Sequence, residues 1–381
     1  MRIPQSYAKR YRSLDAWRGI ASVLVLLWHR YYLRTTLTNG FWLGVQLFFV
    51  ISGYCIAAAV DNSREQQLSL PQFMRRRVRR IIPPYLGSLG LAAVVKLVTP
   101  ADFFNGSRSV SLLWFWVSNF TLTQWSYLTG NWLQTGNGLA VPWFNPALLL
   151  GVHWSLNYEE QFYLLCGLIL VFHRKARTAR LLFAITVAVA CCNALCPGQI
   201  TGLFVDYWLQ FFCGVLVYLR LCKTSSRAAA RAFDGLLVAA AIVLLLSAHR
   251  RGDFPPLPNQ LQFYGQLSLC LCYGLLLIVL RPYDDAVGGW RPVRVLRFIG
   301  KFSYSIYLVH WPMLIVLEPF SQQVQVRLGA IAADACILTM VLFCAYAFYR
   351  VFEKPFLNTS LGQAPRAPLL VTLPVNTTAQ L

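Results

Sequence analysis

The sequence predicts an all-α membrane protein, a polytopic bundle of about ten transmembrane helices. Three observations carry that reading. Hydrophobic residues fill 57% of the 381 positions and charged residues only 13%, whereas a soluble domain carries about 25% charged residues. Apolar runs of about 20 residues recur along the chain, the length needed to cross a hydrocarbon core. Basic residues gather on alternate connecting segments, as retention of Lys and Arg on the cytoplasmic side requires.

The expected spans are residues 16–34, 41–60, 83–99, 147–172, 181–196, 204–220, 232–248, 261–280, 298–318 and 328–349. With a cytoplasmic N-terminus, 27 of the 34 Lys and Arg residues fall on cytoplasmic segments: the N-terminal stretch through Arg18, 61–82, 173–180, 220–231, 281–301 and the stretch after 349. An odd error in the span count would scramble this bias, so both ends are expected inside. The net charge of +20 is then a product of topology; membrane lipids are expected partners and nucleic acid is not. The 11 cysteines sit almost entirely in apolar runs with no Cys-x-x-Cys pair. They read as small buried packing residues, and neither a metal site nor a disulfide is expected.

The first span, within "SLDAWRGIASVLVLLWHRYY", carries groups that lipid should exclude. Basic residues precede it, but Trp28, His29, Arg30, Tyr31 and Tyr32 follow in place of a small-residue cleavage site, so it is a retained span rather than a signal peptide. Arg18 and His29 are 11 residues apart, hence about 20° apart in azimuth and about 16 Å apart along the axis. They share one face, with Asp15 and Ser22 near it. Ionisable residues within a span usually face a cavity or pathway; the competing readings are a snorkelling anchor for Arg18 and an interfacial side chain for His29.

The third span is preceded by "FMRRRVRRIIPPY", five arginines over six positions. Arg77 and Arg80 are three residues apart and point the same way on a helix. Pro83 and Pro84 suit the first turn of the following span. Such a cluster can grip a phosphate-rich ligand through forked hydrogen bonds, although composition alone favours topology and contact with anionic headgroups. Residues 100–146, with "LLWFWVSNFTLTQWSYLTGNW", are expected outside as an interfacial cap or re-entrant element.

"GVHWSLNYEEQFYLL" enters the fourth span from outside and sets Glu159 and Glu160 about 10 to 12 Å below the surface. Adjacent carboxylates point to different faces, so one is expected to line a cavity and the other to pair locally. His153 and Trp154 serve equally well as interface residues. In the ninth span Ser303, Tyr307, His310 and Trp311 fall at i, i+4, i+7 and i+8, a polar and aromatic stripe that suggests a wet or protein-lined surface within lipid. Glu318 and Asp334 lie near the outer ends of the last two spans. Beyond residue 357, a tail rich in Pro, Thr and Ala is expected to be disordered and cytoplasmic, leaving 1–357 as the membrane domain.

There is no Walker-type phosphate loop, Gly-x-Ser-x-Gly elbow or Gly-Asp-Ser block. The blocks "LDAWRGIASVLVLLWH", "GVQLFFVISGY", "RRRVRRIIPPYL", "HWSLNYEEQFY", "IGKFSYSIYLVHWP" and "FEKPF", in order from residue 13 to 356, resemble the acyltransferase-three family of integral-membrane acyltransferases, whose members O-acylate cell-surface and exported glycans. The resemblance implies that Arg18 contacts the donor, His29 is the catalytic imidazole, and Arg77 and Arg80 help bind cytoplasmic acyl-CoA. It places Trp154, Ser155 and Glu159 around the transfer region, with Glu160 adjacent, and adds His310 without fixing its role. Many relatives carry a hydrolase-like domain after the last span; this chain is expected to be a stand-alone membrane module.

The reading that results is an O-acyltransferase of the bacterial cytoplasmic (inner) membrane. It would move an acyl group, acetyl foremost, from acetyl-CoA as co-substrate to a sugar hydroxyl of an exported polysaccharide or lipid-linked oligosaccharide. Arginines would hold the donor, His29, Glu159 and Glu160 would act at the transfer centre, and Asp15, Trp154, Ser155, Ser303, Tyr307 and His310 would support it. The same buried charges could instead line the path of a transporter or flippase for a lipid-linked glycan; the lack of inverted repeats counts against that alternative.

Overall fold

A computed structural model describes residues 11, 13–31, 41–98, 112–124, 149–172, 175–195, 203–252 and 263–357. Most of segment 100–146 and the whole tail from 358 lie outside these residues. Among them every regular element is helical. The principal helices are α1 (Leu14–Tyr31), α2 (Leu43–Glu65), α3 (Leu70–Val98), α4 (Leu112–Thr121), α5 (Trp154–Phe172), α6 (Lys175–Leu195), α7 (Trp208–Cys222), α8 (Arg227–Arg251), α9 (Phe263–Leu280), α10 (Arg291–Lys301), α11 (Ser303–Leu328) and α12 (Ala330–Phe348).

Nine of the ten expected spans fall mainly on one principal helix each, and the ninth falls on two, α10 and α11; the fold is an all-α membrane bundle. Among the described residues, five stretches are long and apolar enough to cross a membrane: Leu43–Glu65, Leu70–Val98, Arg227–Arg251, Tyr264–Val287 and Ala330–Phe356. α1 carries Asp15, Arg18 and Arg30 within its 18 residues, and those charges take it out of that group. α8 shows a spanning helix at the edge of the bundle. Ser226 caps its N-terminus by accepting from Ala229 N at 3.1 Å, Gly252 ends it at φ +70°, and most of its apolar surface is exposed, as a lipid-facing helix requires.

Three boundaries differ from the sequence expectation. α3 runs without a break through the arginine cluster, so Pro83 and Pro84 lie inside a helix rather than in its first turn. Prolines remove two intrahelical bonds there, which costs stability; the Tyr304 phenol donates to the nearby Ile81 carbonyl at 3.1 Å and pins this stretch to α11. The expected ninth span is split at Phe302, whose φ of −119° and ψ of 26° end α10. The break lets α10 fold back along α1, where Gly300 meets the Asp15 carbonyl and Gly19 meets that of Leu296; a Cβ at either glycine would collide with backbone. α12 ends in a π-turn, Tyr349–Glu353. The cysteines also differ in part: Cys213 and Cys270 are buried, but Cys191 and Cys192 are exposed on α6.

α1 occupies the centre, against α2, α10 and α11. α2 packs on α7, with Gly53 and Gly214 at backbone contact, and α11 packs on α12. One apolar cluster joins α2, α5, α7 and α9 around Trp208, Phe211 and Phe162; another joins α3, α5, α11 and α12 around Tyr85, Phe302 and Phe348. The polar residues of interest lie between these two clusters.

Candidate active site

The site is built where α1, α2, α3, α5 and α11 meet. Arg18, Ser52, Cys55, Arg80, Ser155, Glu159, Tyr163, Ser303, Tyr304 and Tyr307 line a single cavity, closed on the apolar side by Val45, Phe48, Phe49, Ile81 and Leu156. Helical spacing explains the set. Ser303 and Tyr307 are one turn apart on α11, as are Ser155, Glu159 and Tyr163 on α5, so each helix presents one polar stripe to the same void.

The charged groups of the cavity have defined partners. The Arg18 guanidinium donates to Cys55 Sγ at 3.2 Å and lies 3.6 Å from the Asp15 carboxylate. Glu159 accepts from the Tyr163 phenol at 2.8 Å and from Ser52 at 3.5 Å. Arg77 is not in the cavity wall; its guanidinium lies over the Phe73 and Tyr163 rings, 5.5 and 5.3 Å from their centroids, a cation–π arrangement that braces the wall from behind. Glu353, buried on the π-turn, accepts from Ser305 at 2.5 Å and is within electrostatic range of Arg80 and Arg18.

Tyr307 also lines the cavity. Its phenol donates to the Val152 carbonyl, so the Ser155 hydroxyl, 2.8 Å away, is left to donate to the phenol oxygen. Beyond Tyr307, 6.0 Å between ring centroids, is His310, and His310 meets His29 with Nε2 3.3 Å from Nδ1. Trp28 and Trp311 flank the His29 ring. A third imidazole, His153, is fully buried on the turn before α5, beside Ser88 at 3.3 Å and within electrostatic range of His310.

The fold thus brings Arg18, Arg80, Ser155, Glu159, Ser303 and Tyr307 together around one void, with Asp15 beside Arg18 and the His29–His310 pair behind Tyr307. It sets three expected residues apart. Arg77 packs behind the wall. Trp154 joins an aromatic cluster with Phe49, Tyr158 and Tyr207 and supports the wall rather than forming it. Glu160 points elsewhere, and its Oε2 is buried without a hydrogen-bond partner, so the expected local pairing of that oxygen is not present. The reason is the 100° step between adjacent helical residues: Glu159 takes the cavity face, and Glu160 falls on the side shared with His153 and Asn157, whose Nδ1 and Oδ1 are also buried without partners.

Sequence reasoning missed Ser52, Cys55, Tyr163, Tyr304, Glu353 and the burial of His153. The signal existed for some. Ser52 and Cys55 are three apart within the apolar stretch "LFFVISGYCIAAAV" of α2, and Glu353 is the one acidic residue of "FEKPF".

A family described as an acyltransferase domain matches residues 11–350. The chain belongs to the acyltransferase-three family. The match takes in every helix that lines the cavity. Among similar acyltransferase-three relatives, O-acetyltransferase OatA of Staphylococcus aureus (strain NCTC 8325 / PS 47) is 26% identical over 98% of this chain and 63% of its own length. BcsY of Komagataeibacter xylinus, which bears the name of a membrane-bound transacylase, is 29% identical over 94% of this chain and 85% of its own. Peptidoglycan O-acetyltransferase OatA of Listeria monocytogenes serovar 1/2a (strain ATCC BAA-679 / EGD-e) is 26% identical over 82% and 51%. The chain therefore spans between half and two thirds of the length of the two OatA proteins. No solved structure matches it.

Proposed function

We propose that this protein is an O-acyltransferase of the cytoplasmic membrane. It takes an acyl group, acetyl foremost, from acyl-CoA bound at the cytoplasmic end and passes it to a sugar hydroxyl of an exported or lipid-linked glycan. The observation that carries the reading is an arginine-bearing cavity whose Tyr307 ring lies 6.0 Å from that of His310, which in turn meets His29. Arg80 and Arg18 at the cavity suit the phosphates and polar arm of a coenzyme thioester, and Arg77 supports them from behind Tyr163. His29 is the base for the acceptor hydroxyl. Membership of the acyltransferase-three family and the likeness to proteins named O-acetyltransferases support the reaction class; the glycan acceptor follows from the name of the Listeria relative.

The chemistry balances within these groups. The hydroxyl O–H bond breaks as His29 takes the proton, the oxygen attacks the thioester carbonyl, the C–S bond breaks, and the proton passes to the departing thiolate. A transient acyl group on His29 would split the same transfer into two steps. Glu159, held by Tyr163 and Ser52, and Ser155, held by Tyr307, fix the walls between the two ends.

The test is incubation of the purified protein with radiolabelled acetyl-CoA, with and without a crude surface-glycan extract, wild type against His29→Ala. Label is expected in glycan with the wild type alone, while His29→Ala binds acetyl-CoA and fails to transfer; general-base catalysis supplies about 10²–10⁴-fold. Normal transfer by His29→Ala would remove the catalytic assignment. A well-folded wild type that neither binds nor cleaves acetyl-CoA would shift the reading to transport of a lipid-linked glycan.

A further inference from the structure

We infer that His310 is the positioning residue for His29: it accepts the Nδ1–H of His29 at its own Nε2 and so makes Nε2 of His29 the reacting nitrogen. This rests on the reading of His29 as the base and assigns His310 the role that reading leaves open.

The argument is one of proton accounting. His310 Nδ1 lies 2.7 Å from the Tyr307 carbonyl and 3.0 Å from that of Ile306. Carbonyl oxygens only accept, so the proton of the neutral ring is on Nδ1 and the lone pair is on Nε2. That nitrogen faces His29 Nδ1 at 3.3 Å. His29 Nδ1 is also 2.9 Å from the Val25 carbonyl, which again requires a proton on Nδ1. The two rings therefore fit in one pattern, with the His29 Nδ1–H shared between Val25 O and His310 Nε2. The reverse pattern, His310 donating from Nε2, would turn a bare His29 nitrogen toward the Val25 oxygen, lone pair against lone pair.

The consequence for transfer is definite. The acceptor proton moves to His29 Nε2, and the imidazolium that forms already has its second N–H directed at two lone pairs. An orienting acceptor on the far nitrogen of a catalytic imidazole fixes the tautomer and stabilises the charged ring, the role a carboxylate performs in serine hydrolases. Here the acceptor is neutral. His310 is 1% exposed, and two backbone carbonyls of its own helix hold its ring, so it can do this without burying a second charge beside His153.

The experiment uses the full-length protein in detergent or nanodiscs. His310→Phe keeps a planar ring but no acceptor, and His310→Gln keeps an acceptor oxygen near the Nε2 position. Acetyl-CoA affinity, transfer rate and the thermal unfolding midpoint are read for each. Nitrogen-15 NMR of histidine-labelled protein, assigned with His29→Ala, reads the tautomer of His29. Expected are a wild-type His29 protonated at Nδ1, loss of about 10²-fold in kcat in His310→Phe with acetyl-CoA affinity unchanged, and recovery of most of that loss in His310→Gln. Full activity in His310→Phe overturns the proposal, and so does a wild-type His29 protonated at Nε2, a measurement that needs no variant to fold. Normal transfer by His29→Ala would instead sink the underlying reading, so the two failures are separable.

Discussion

Arg30 follows His29 in the chain and meets a different fate. In the sequence it is one more polar residue in an interfacial run. In the fold it is buried, donating to Glu318 at 2.8 Å, Asp334 at 2.9 Å and Ser321 at 2.6 Å, while Tyr31 donates to the other Asp334 oxygen at 2.7 Å. The planar fork of a guanidinium is what lets one side chain bridge α11 and α12. Arg30 is 3% exposed but Glu318 is 39% and Asp334 20% exposed, so solvent offsets part of the charge left uncompensated by its removal, and the cost is expected to fall below the roughly 3–5 kcal/mol of a fully buried pair. Arg30→Ala is therefore expected to lower the unfolding midpoint in detergent, and Arg30→Lys to recover only part of it. An unchanged midpoint would show that the network contributes nothing. Sequence spacing located the ionisable residues because charge inside an apolar run is conspicuous. It could not separate His29, which meets His310, from Arg30, which anchors the helix, since that depends on the partners α11 and α12 present.

At the scale of elements, apolar run length sufficed to find the helices and fell short at their joints. The break at Phe302 and the continuity of α3 through Pro83 and Pro84 are decided by contacts between segments far apart in sequence. The crossing of α1 and α10 is the plainest case. Gly19 adjoins Arg18, and Gly300 packs on the Asp15 carbonyl, so the backbone that carries Asp15 and the cavity residue Arg18 is held by glycine-to-backbone contact. Gly300→Leu is expected to push the helices apart, weakening acetyl-CoA binding and stability together, whereas Gly235→Leu, where a Cβ meets open space on α8, should leave binding unchanged. Equal affinities for the two variants would detach the crossing from the site. The arginine cluster on α3 gives a second test at this scale. Arg77→Ala with Arg80→Ala should weaken acetyl-CoA binding while leaving the helix intact, the Arg80 part by removing a cavity group and the Arg77 part by loosening Tyr163. Unaltered affinity would return the cluster to a role in topology alone.

Over the whole molecule one aromatic side chain links the two parts of the site. Tyr307 lines the cavity that holds Arg18 and Arg80, and its ring lies 6.0 Å from that of His310, which meets His29. Six sequence blocks were enough to name Arg18, His29, Arg80, Ser155, Glu159, Ser303, Tyr307 and His310; the place of Tyr307 was not legible, because it depends on the Val152 carbonyl and the Ser155 hydroxyl holding a phenol from a third segment. Under the proposed function, a phenol placed between thioester and base would act as an economy of fuel, since an activated acyl group kept away from the base until an acceptor arrives is not squandered on hydrolysis. Tyr307→Ala should accordingly raise acceptor-independent cleavage of acetyl-CoA above the wild-type background, read as free thiol released over time, and a background that does not rise would mean that the thioester is guarded elsewhere.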